Sequence, residues 1–280
     1  GLDEAVKLCQ FDNQVPPLAL RVNTLKTTRE SLQQRLAERG IVTRLSQWSP
    51  DGLLCDSLPS LDSLLQDFGP ELYIQDESSM LDAAVLNPQP GQRVIDMCSA
   101  PGGKTTHLAQ KMANQGEILA LDIYDHKLEL VRENAQRLGI TCIKTQKADG
   151  TVFVPAWEKT ADRVLVDAPC SGLGVLNRRV EARWRKEERT LSQFPPLQKK
   201  ILANAARYVK VGGRLLYSTC TLERDENSRV REAFLKDQPN FAPVPFAHPL
   251  TGELVEELQI LPWRDGIDGF YLCLFERKGE

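Results

Sequence analysis

From about Val94 onward, short apolar runs alternate with stretches of helical spacing. "RVIDMC" (93–98) is apolar and closes on turn residues, which predicts a strand; "THLAQKMA" then sets Leu108 and Met112 four apart, the spacing of one helix face. "GEILALDI" predicts a second strand, and "HKLELVRENAQRLG" a helix closed by Gly139. "ITCIKTQKAD" reads as a third strand. "ADRVLVDAPC" reads as a fourth, nearly continuous in apolar residues as a strand covered on both faces should be. A long helix over "LQKKILANAARYVKVGG" leads into a fifth strand, "RLLYSTCT". The last apolar run, "GFYLCLFER", predicts a terminal strand paired with a neighbour without a crossover helix.

This alternation predicts an α/β fold with a mostly parallel sheet and helices on both of its faces. Before residue 70 the character changes: "LALRVNTLKTTRESLQQRLAERGI" reads as strand, turn and helix, and Gly and Pro punctuate the stretch from there to "DFGPELYIQ". Residues 1–70 are expected to form a small α+β module and residues 71–280 the main domain, entered through a helix from Asp76 to Leu86.

In such sheets, ligands gather outside the carboxyl ends of the strands. Each predicted strand delivers informative residues there: Asp96 and Cys98, then Asp122, Asp149, Asp167 with Cys170, and Cys220. The loop after the first strand, "CSAPGGKTT", has the look of a triphosphate-binding loop. That loop needs a glycine five residues before its final Gly-Lys pair, where this chain has Cys98, so a triphosphate site is excluded. A strand, a Gly-Gly turn and a helix N-terminus instead suit a smaller anion such as a carboxylate. Asp122 is placed to accept both hydroxyls of a ribose, and Asp149 to receive the amino group of an adenine. Together they describe an adenosine cofactor with an amino-acid tail.

The chain of 280 residues is 41% hydrophobic and 26% charged, ordinary values for a folded domain of this size. It has no run of eighteen apolar residues, and "GLDEAVKLCQ" lacks the basic and apolar regions of a signal peptide; a cytoplasmic protein is expected, with no membrane partner. The Gly1 start predicts further chain upstream. Seven cysteines with no CxxC pair and only three histidines predict neither a disulfide framework nor a metal site. Cys9, Cys55, Cys142 and Cys273 are expected simply to pack. Cys170 and Cys220, each at a strand end beside small residues, are the candidates for thiolate chemistry.

The net charge of −3 argues against a uniformly basic nucleic-acid binder, but the charge is unevenly spread. Between Ser171 and Arg214 eleven Lys and Arg face three Glu, a net +8 that leaves −11 for the rest of the chain. This block is either a solvated face or a patch that meets phosphates. Trp184 within it is expected to anchor the segment to the core, with stacking on a base as the alternative.

Four motifs, "DMCSAPGGKTTHLA", "DAPCSGLGVLNRR", "YSTCTLERDEN" and "DGFYLCLFER", occur in that order and resemble the RNA cytosine-5 methyltransferases of the RsmB/Sun (Fmu) and Nop2 family. The likeness spans nearly the whole chain, because "LALRVNTLK" resembles the start of that family's small RNA-recognition-like module; the bacterial 16S ribosomal RNA branch is the most similar. The resemblance implies a Rossmann-like S-adenosylmethionine-dependent methyltransferase domain and, upstream, a helical NusB-like domain. It implies that Cys98, Ser99, Ala100, Pro101, Gly102, Gly103 and Lys104, with Asp122, Asp149 and Asp167, bind S-adenosylmethionine. It further implies that Cys220 is the nucleophile and that Cys170 acts in product release.

The chemistry explains why such groups are needed. C5 of cytosine is a poor nucleophile until a thiolate adds at C6 and pushes electron density onto C5. Asp167 is expected to bond the base edge near N3, and Lys104 to orient Asp167 or the base and lower a thiol pKa. A cytosine in folded RNA must be unpaired or flipped out to be reached. Arg178, Arg179, Arg183, Arg185 and Lys186, with Arg21 and Lys26 of the small module, are the expected phosphate contacts of a monomer acting on 16S ribosomal RNA. Transfer RNA is the alternative substrate, and a non-catalytic RNA-binding assembly factor the alternative function.

Overall fold

The computed structural model of the chain describes residues 1–58 and 60–279. After α1 (Leu2–Asp12) come β1 (Leu18–Val22), α2 (Arg29–Glu38), β2 (Thr43–Leu45), β3 (Gly52–Cys55), α3 (Leu61–Phe68) and β4 (Leu72–Ile74). The four strands pair antiparallel in the order β2–β3–β1–β4, which with the two helices makes a ferredoxin-like βαββαβ unit. Thr28 and Ser60 start α2 and α3 by accepting the amides of Ser31 and Ser63. Leu20 and Val22 of β1 face these helices, joining Leu32, Leu36, Leu64 and Phe68 in the module's core. The alternate residues Ala19 and Arg21 face the rest of the protein, so β1 is covered on both sides.

The larger unit runs through α4 (Glu77–Leu86), β5 (Arg93–Asp96), α5 (Gly103–Lys111), β6 (Glu117–Asp122), α6 (Asp125–Leu138), β7 (Ile143–Lys147), β8 (Ala161–Asp167), α7 (Glu188–Leu191), α8 (Phe194–Tyr208) and β9 (Val209–Thr219). It ends with α9 (Ser228–Asp237), β10 (Phe241–Pro243), β11 (Phe246–Ala247), β12 (Leu254–Val255), β13 (Glu257–Ile260), α10 (Pro262–Asp265) and β14 (Phe270–Arg277). Its sheet runs β10–β14–β9–β8–β5–β6–β7, with β13 beside β14. Strands β5 to β9 are parallel; β14 lies antiparallel against β9 with Leu272 opposite Ser218, as expected for a closing strand without a crossover. The chain winds from β5 outward through β6 and β7, then returns to β8 on the other side of β5. That reversal opens a crevice at the carboxyl ends of β5 and β8.

Two boundaries differ from expectation. The third strand is only Ile143–Lys147, a partly exposed edge, so Asp149 lies two residues beyond it. The long helix stops at Tyr208, because Val209 pairs with Ala161 and the "VKVGG" segment opens β9 through a register shift. Among the described residues no helix is long and apolar enough to cross a membrane, and no group of three His, Cys, Asp or Glu is arranged to hold a metal ion.

Candidate active site

A cavity of about 290 Å³ lies at the carboxyl ends of β5, β8 and β9, between the start of α5 and the Tyr73–Asp76 segment. Of the expected residues, Cys98, Ser99, Ala100, Pro101, Gly103, Lys104, Asp167, Arg178, Arg179 and Cys220 line it. The loop after β5 is pinned to the next strand by Ser99, whose amide and hydroxyl both donate to the Leu121 carbonyl, at 2.8 and 2.9 Å. Gly102 then takes a left-handed φ of 103°, and a Cβ there would lie 3.1 Å from Val131 Cα. At Gly103 a Cβ would meet the Tyr73 ring at 3.1 Å. Gly102 is favoured by its left-handed backbone and both glycines by close approach, and α5 begins with its unpaired first amides at the rim of the cavity.

Behind the loop, Asp96 is completely buried and accepts a 2.7 Å bond from Thr105 Oγ1. Burial pushes its carboxyl up to about 7. Asp122 and Asp149 do not line the cavity. The half-buried Asp122 accepts the Tyr124 amide at 2.9 Å. The exposed Asp149 accepts the amide and hydroxyl of Thr151, at 2.8 and 2.7 Å, which holds its carboxyl below the usual range.

Lys104 projects from the first turn of α5 between two acids, with Nζ 2.5 Å from Asp167 Oδ1 and 2.8 Å from Asp82 Oδ2. It also stands 4.6 Å from the Phe270 ring centroid. Burial alone would lower the Lys104 pKa; the Asp167 and Asp82 carboxylates outweigh it and raise the pKa, fixing the ammonium. Asp82 is fully buried, and burial lifts its carboxyl to about 6 against the pull of Lys104. Asp82 is not among the residues expected from the sequence, although a lone acid in the apolar stretch "SSMLDAAVL" was the available signal.

Cys170 and Cys220 end adjacent strands, and their Sγ atoms are 3.4 Å apart. The hydrogen bond from Cys170 lowers the Cys220 pKa although burial and Asp167 raise it, and Lys104 and Arg179 add to the lowering. Cys170 moves the opposite way: its bond to Cys220 and its burial push its thiol well above the usual range. Charge on this pair is thus favoured on Cys220 and disfavoured on Cys170. Of the other cysteines, Cys55 and Cys273 are buried as expected, whereas Cys9 is exposed on α1, a surface helix whose outward positions need no packing.

Several expected phosphate contacts have other roles. Arg21 is completely buried, which corrects its assignment as an RNA contact: its guanidinium donates to Gln75 Oε1, to the Gly103 carbonyl and, at 2.8 Å, to Thr106 Oγ1. Because β1 is covered on both faces, Arg21 points inward and ties the small module to the loop that ends in Gly103. Arg178 is gripped by Asp76 (2.8 Å) and Asp268 (2.5 Å) in the cavity wall. Arg183 donates to the Leu176 and Asp12 carbonyls and to Asn13 Oδ1, fastening α1 to the turn at 180–184. Lys26, Arg179, Arg185 and Lys186 are exposed. Trp184 is 86% exposed on that 3₁₀ turn, which corrects the expectation that it anchors to the core.

Two family models match the chain: the 16S rRNA methyltransferase RsmB/F over residues 83–276, and the RsmF/B-like ferredoxin-like domain over residues 1–60. The probable ribosomal RNA small subunit methyltransferase B of Bacillus subtilis is 38% identical across 100% of this chain and 64% of its own length. The human 28S rRNA (cytosine(4447)-C(5))-methyltransferase is 36% identical over 99% of this chain and 36% of its own. Among solved structures, PH0851 superposes with a TM-score of 0.92 at 35% identity, covering 98% of this chain and 63% of that one. A methyltransferase homolog from Pyrococcus horikoshii gives 0.82 at 29% identity, covering 98% and 91%. The chain spans less than two thirds of the length of the curated relatives it matches. With models matching both its units and relatives above 30% identity along its whole length, the chain belongs to the RsmB/F family of 16S rRNA methyltransferases.

Proposed function

We propose that the protein transfers a methyl group from S-adenosylmethionine to C5 of a specific cytosine in 16S ribosomal RNA through a transient bond from Cys220 to C6. The observation that carries this reading is the pair of thiols 3.4 Å apart, of which Cys220 lines the cavity opposite Gly103 and Lys104 while Cys170 stands behind it. The residues fit the cofactor: the first amides of α5 and Lys104 suit a carboxylate, while Asp122 and Asp149, outside the cavity at the carboxyl ends of β6 and β7, would serve the ribose and the adenine. When bound, S-adenosylmethionine supplies an electrophilic methyl group. Residues 1–70 act as the RNA-binding module and residues 71–280 as the catalytic domain, in a monomer.

Each residue has its own share of the chemistry. The Cys220 thiolate adds to C6 and the displaced electron pair builds up at C5, the carbon that receives the methyl. Asp167, held by Lys104, accepts hydrogen bonds from the base edge, the amino group and a protonated N3, and so stabilises the protonated adduct. After transfer, a water positioned by Cys170, or Cys170 itself as thiolate, takes the C5 proton, and the C5–H electron pair restores the ring double bond and expels the Cys220 thiolate. Cys170, in contact with that sulfur, takes part in this release. The test is methylation of ribosomal RNA by purified protein, with bisulfite sequencing to find the cytosine. A Cys220→Ala protein that methylates at the wild-type rate would refute the reading.

A further inference from the structure

Two consecutive buried residues outside the cavity, Glu226 and Asn227, are bonded to the two cysteine loops. Glu226 Oε2 accepts the Ser171 amide at 2.9 Å and Gln198 Nε2 at 2.8 Å, and the same Gln198 nitrogen donates to the Pro169 carbonyl at 3.0 Å. Both neighbours of Cys170 are thereby fixed. Asn227 accepts Thr219 Oγ1 at 2.6 Å and donates to the Thr221 carbonyl at 3.0 Å, so both neighbours of Cys220 are fixed as well. Asn227 also donates to Gln259 Oε1 at 2.8 Å, and Tyr217 OH donates to the Glu226 carbonyl at 2.6 Å. A direct tie, Ser171 Oγ to Thr221 Oγ1 at 2.6 Å, closes the frame.

Burying a carboxylate and a carboxamide is costly unless they are bonded, and here three of the five side-chain bonds, to Ser171, Thr219 and Thr221, go to residues flanking a thiol. A sulfur hydrogen bond is weak, so the 3.4 Å contact depends on how firmly both loops are held. We infer that Glu226 and Asn227 are positioning residues that set the spacing of the two thiols, Glu226 holding the Cys170 loop and Asn227 the Cys220 loop. This rests on the proposed function only where it predicts kinetics. Disturbing Asn227 slows adduct formation, and disturbing Glu226 slows release.

The experiment compares wild type with Glu226→Gln and Asn227→Asp, and with the milder Gln198→Met and Thr219→Val, each checked by thermal melting. Iodoacetamide alkylation of Cys220 is followed across pH by peptide mass spectrometry, without RNA or cofactor. The expected result is an upward move of the alkylation midpoint by about one unit, a roughly tenfold loss of rate below the midpoint. With RNA and S-adenosylmethionine, Glu226→Gln is expected to accumulate covalent adduct and Asn227→Asp to form it several-fold more slowly. Folded variants on both arms that keep the wild-type alkylation profile would overturn the inference. If the midpoints move but no variant and no wild type bonds to RNA, the positioning role stands and the proposed reaction fails.

Discussion

The Sγ atoms of Cys170 and Cys220 lie 3.4 Å apart at the ends of two adjacent parallel strands, β8 and β9. Their pKa values move in opposite directions, down for Cys220 and up for Cys170, because one hydrogen bond favours charge on the acceptor and penalises charge on the donor. Cys220 should therefore alkylate at a lower pH than an ordinary thiol, whose midpoint is about 8.5. In Cys170→Ala the bond is gone while burial and Asp167 remain, so the Cys220 midpoint should rise. An unchanged midpoint would remove the bond as the cause.

Lys104 shares its ammonium between Asp82 and Asp167, and Asp82 is fully buried. Lys104→Met strands a buried carboxylate and should lower the unfolding free energy by about 3–5 kcal/mol, read by urea denaturation. Pairing it with Asp82→Asn should restore part of the loss, since the stranded charge is then absent. Additive losses in the double variant would show that the two groups do not interact.

Arg21 and Lys26 belong to the same small module but act through different physics. Arg21→Met breaks the bonds to Gly103 and Thr106 and should weaken S-adenosylhomocysteine binding in calorimetry without altering the salt dependence of RNA binding. Exposed Lys26, Arg185 and Lys186, each changed to Gln, should leave cofactor binding intact and each lower the slope of log affinity against log salt by about one. A reduced salt slope in Arg21→Met would place that side chain on the RNA after all.

The sheet was legible in the sequence because its central strands are continuous apolar runs closed by turn residues, as "ADRVLVDAPC" illustrates. The thiols and the glycine turn were legible because they stand at strand ends, where topology concentrates function. Arg21 was misread because period-two alternation says which residues share a face but not that both faces of β1 are covered. Trp184 was misread because its segment forms a short 3₁₀ turn on which no residue is buried. Asp82 and Glu226 were missed because their partners lie far along the chain, and only the folded arrangement brings Ser171 to Glu226 or Lys104 to Asp82; Asn227 bonds the nearby Thr219 and Thr221, but spacing alone does not say which polar side chain after a strand folds back onto it.

Trp184 is exposed beside Arg185 and Lys186, an arrangement that suits stacking on an unpaired base next to phosphates. Trp184→Ala should weaken single-stranded RNA binding by about 1–3 kcal/mol in a titration and leave the melting temperature unchanged. A fall in melting temperature with no loss of affinity would contradict that role.

The covalent step is tested most directly by trapping it. Cys170→Ala protein, incubated with S-adenosylmethionine and ribosomal RNA carrying the target cytosine, is digested, and the cross-linked peptide is mapped by mass spectrometry. The account predicts a denaturant-resistant adduct at Cys220 that vanishes in Cys170→Ala/Cys220→Ala. An adduct on any other residue, or full methylation by Cys220→Ala, would contradict it.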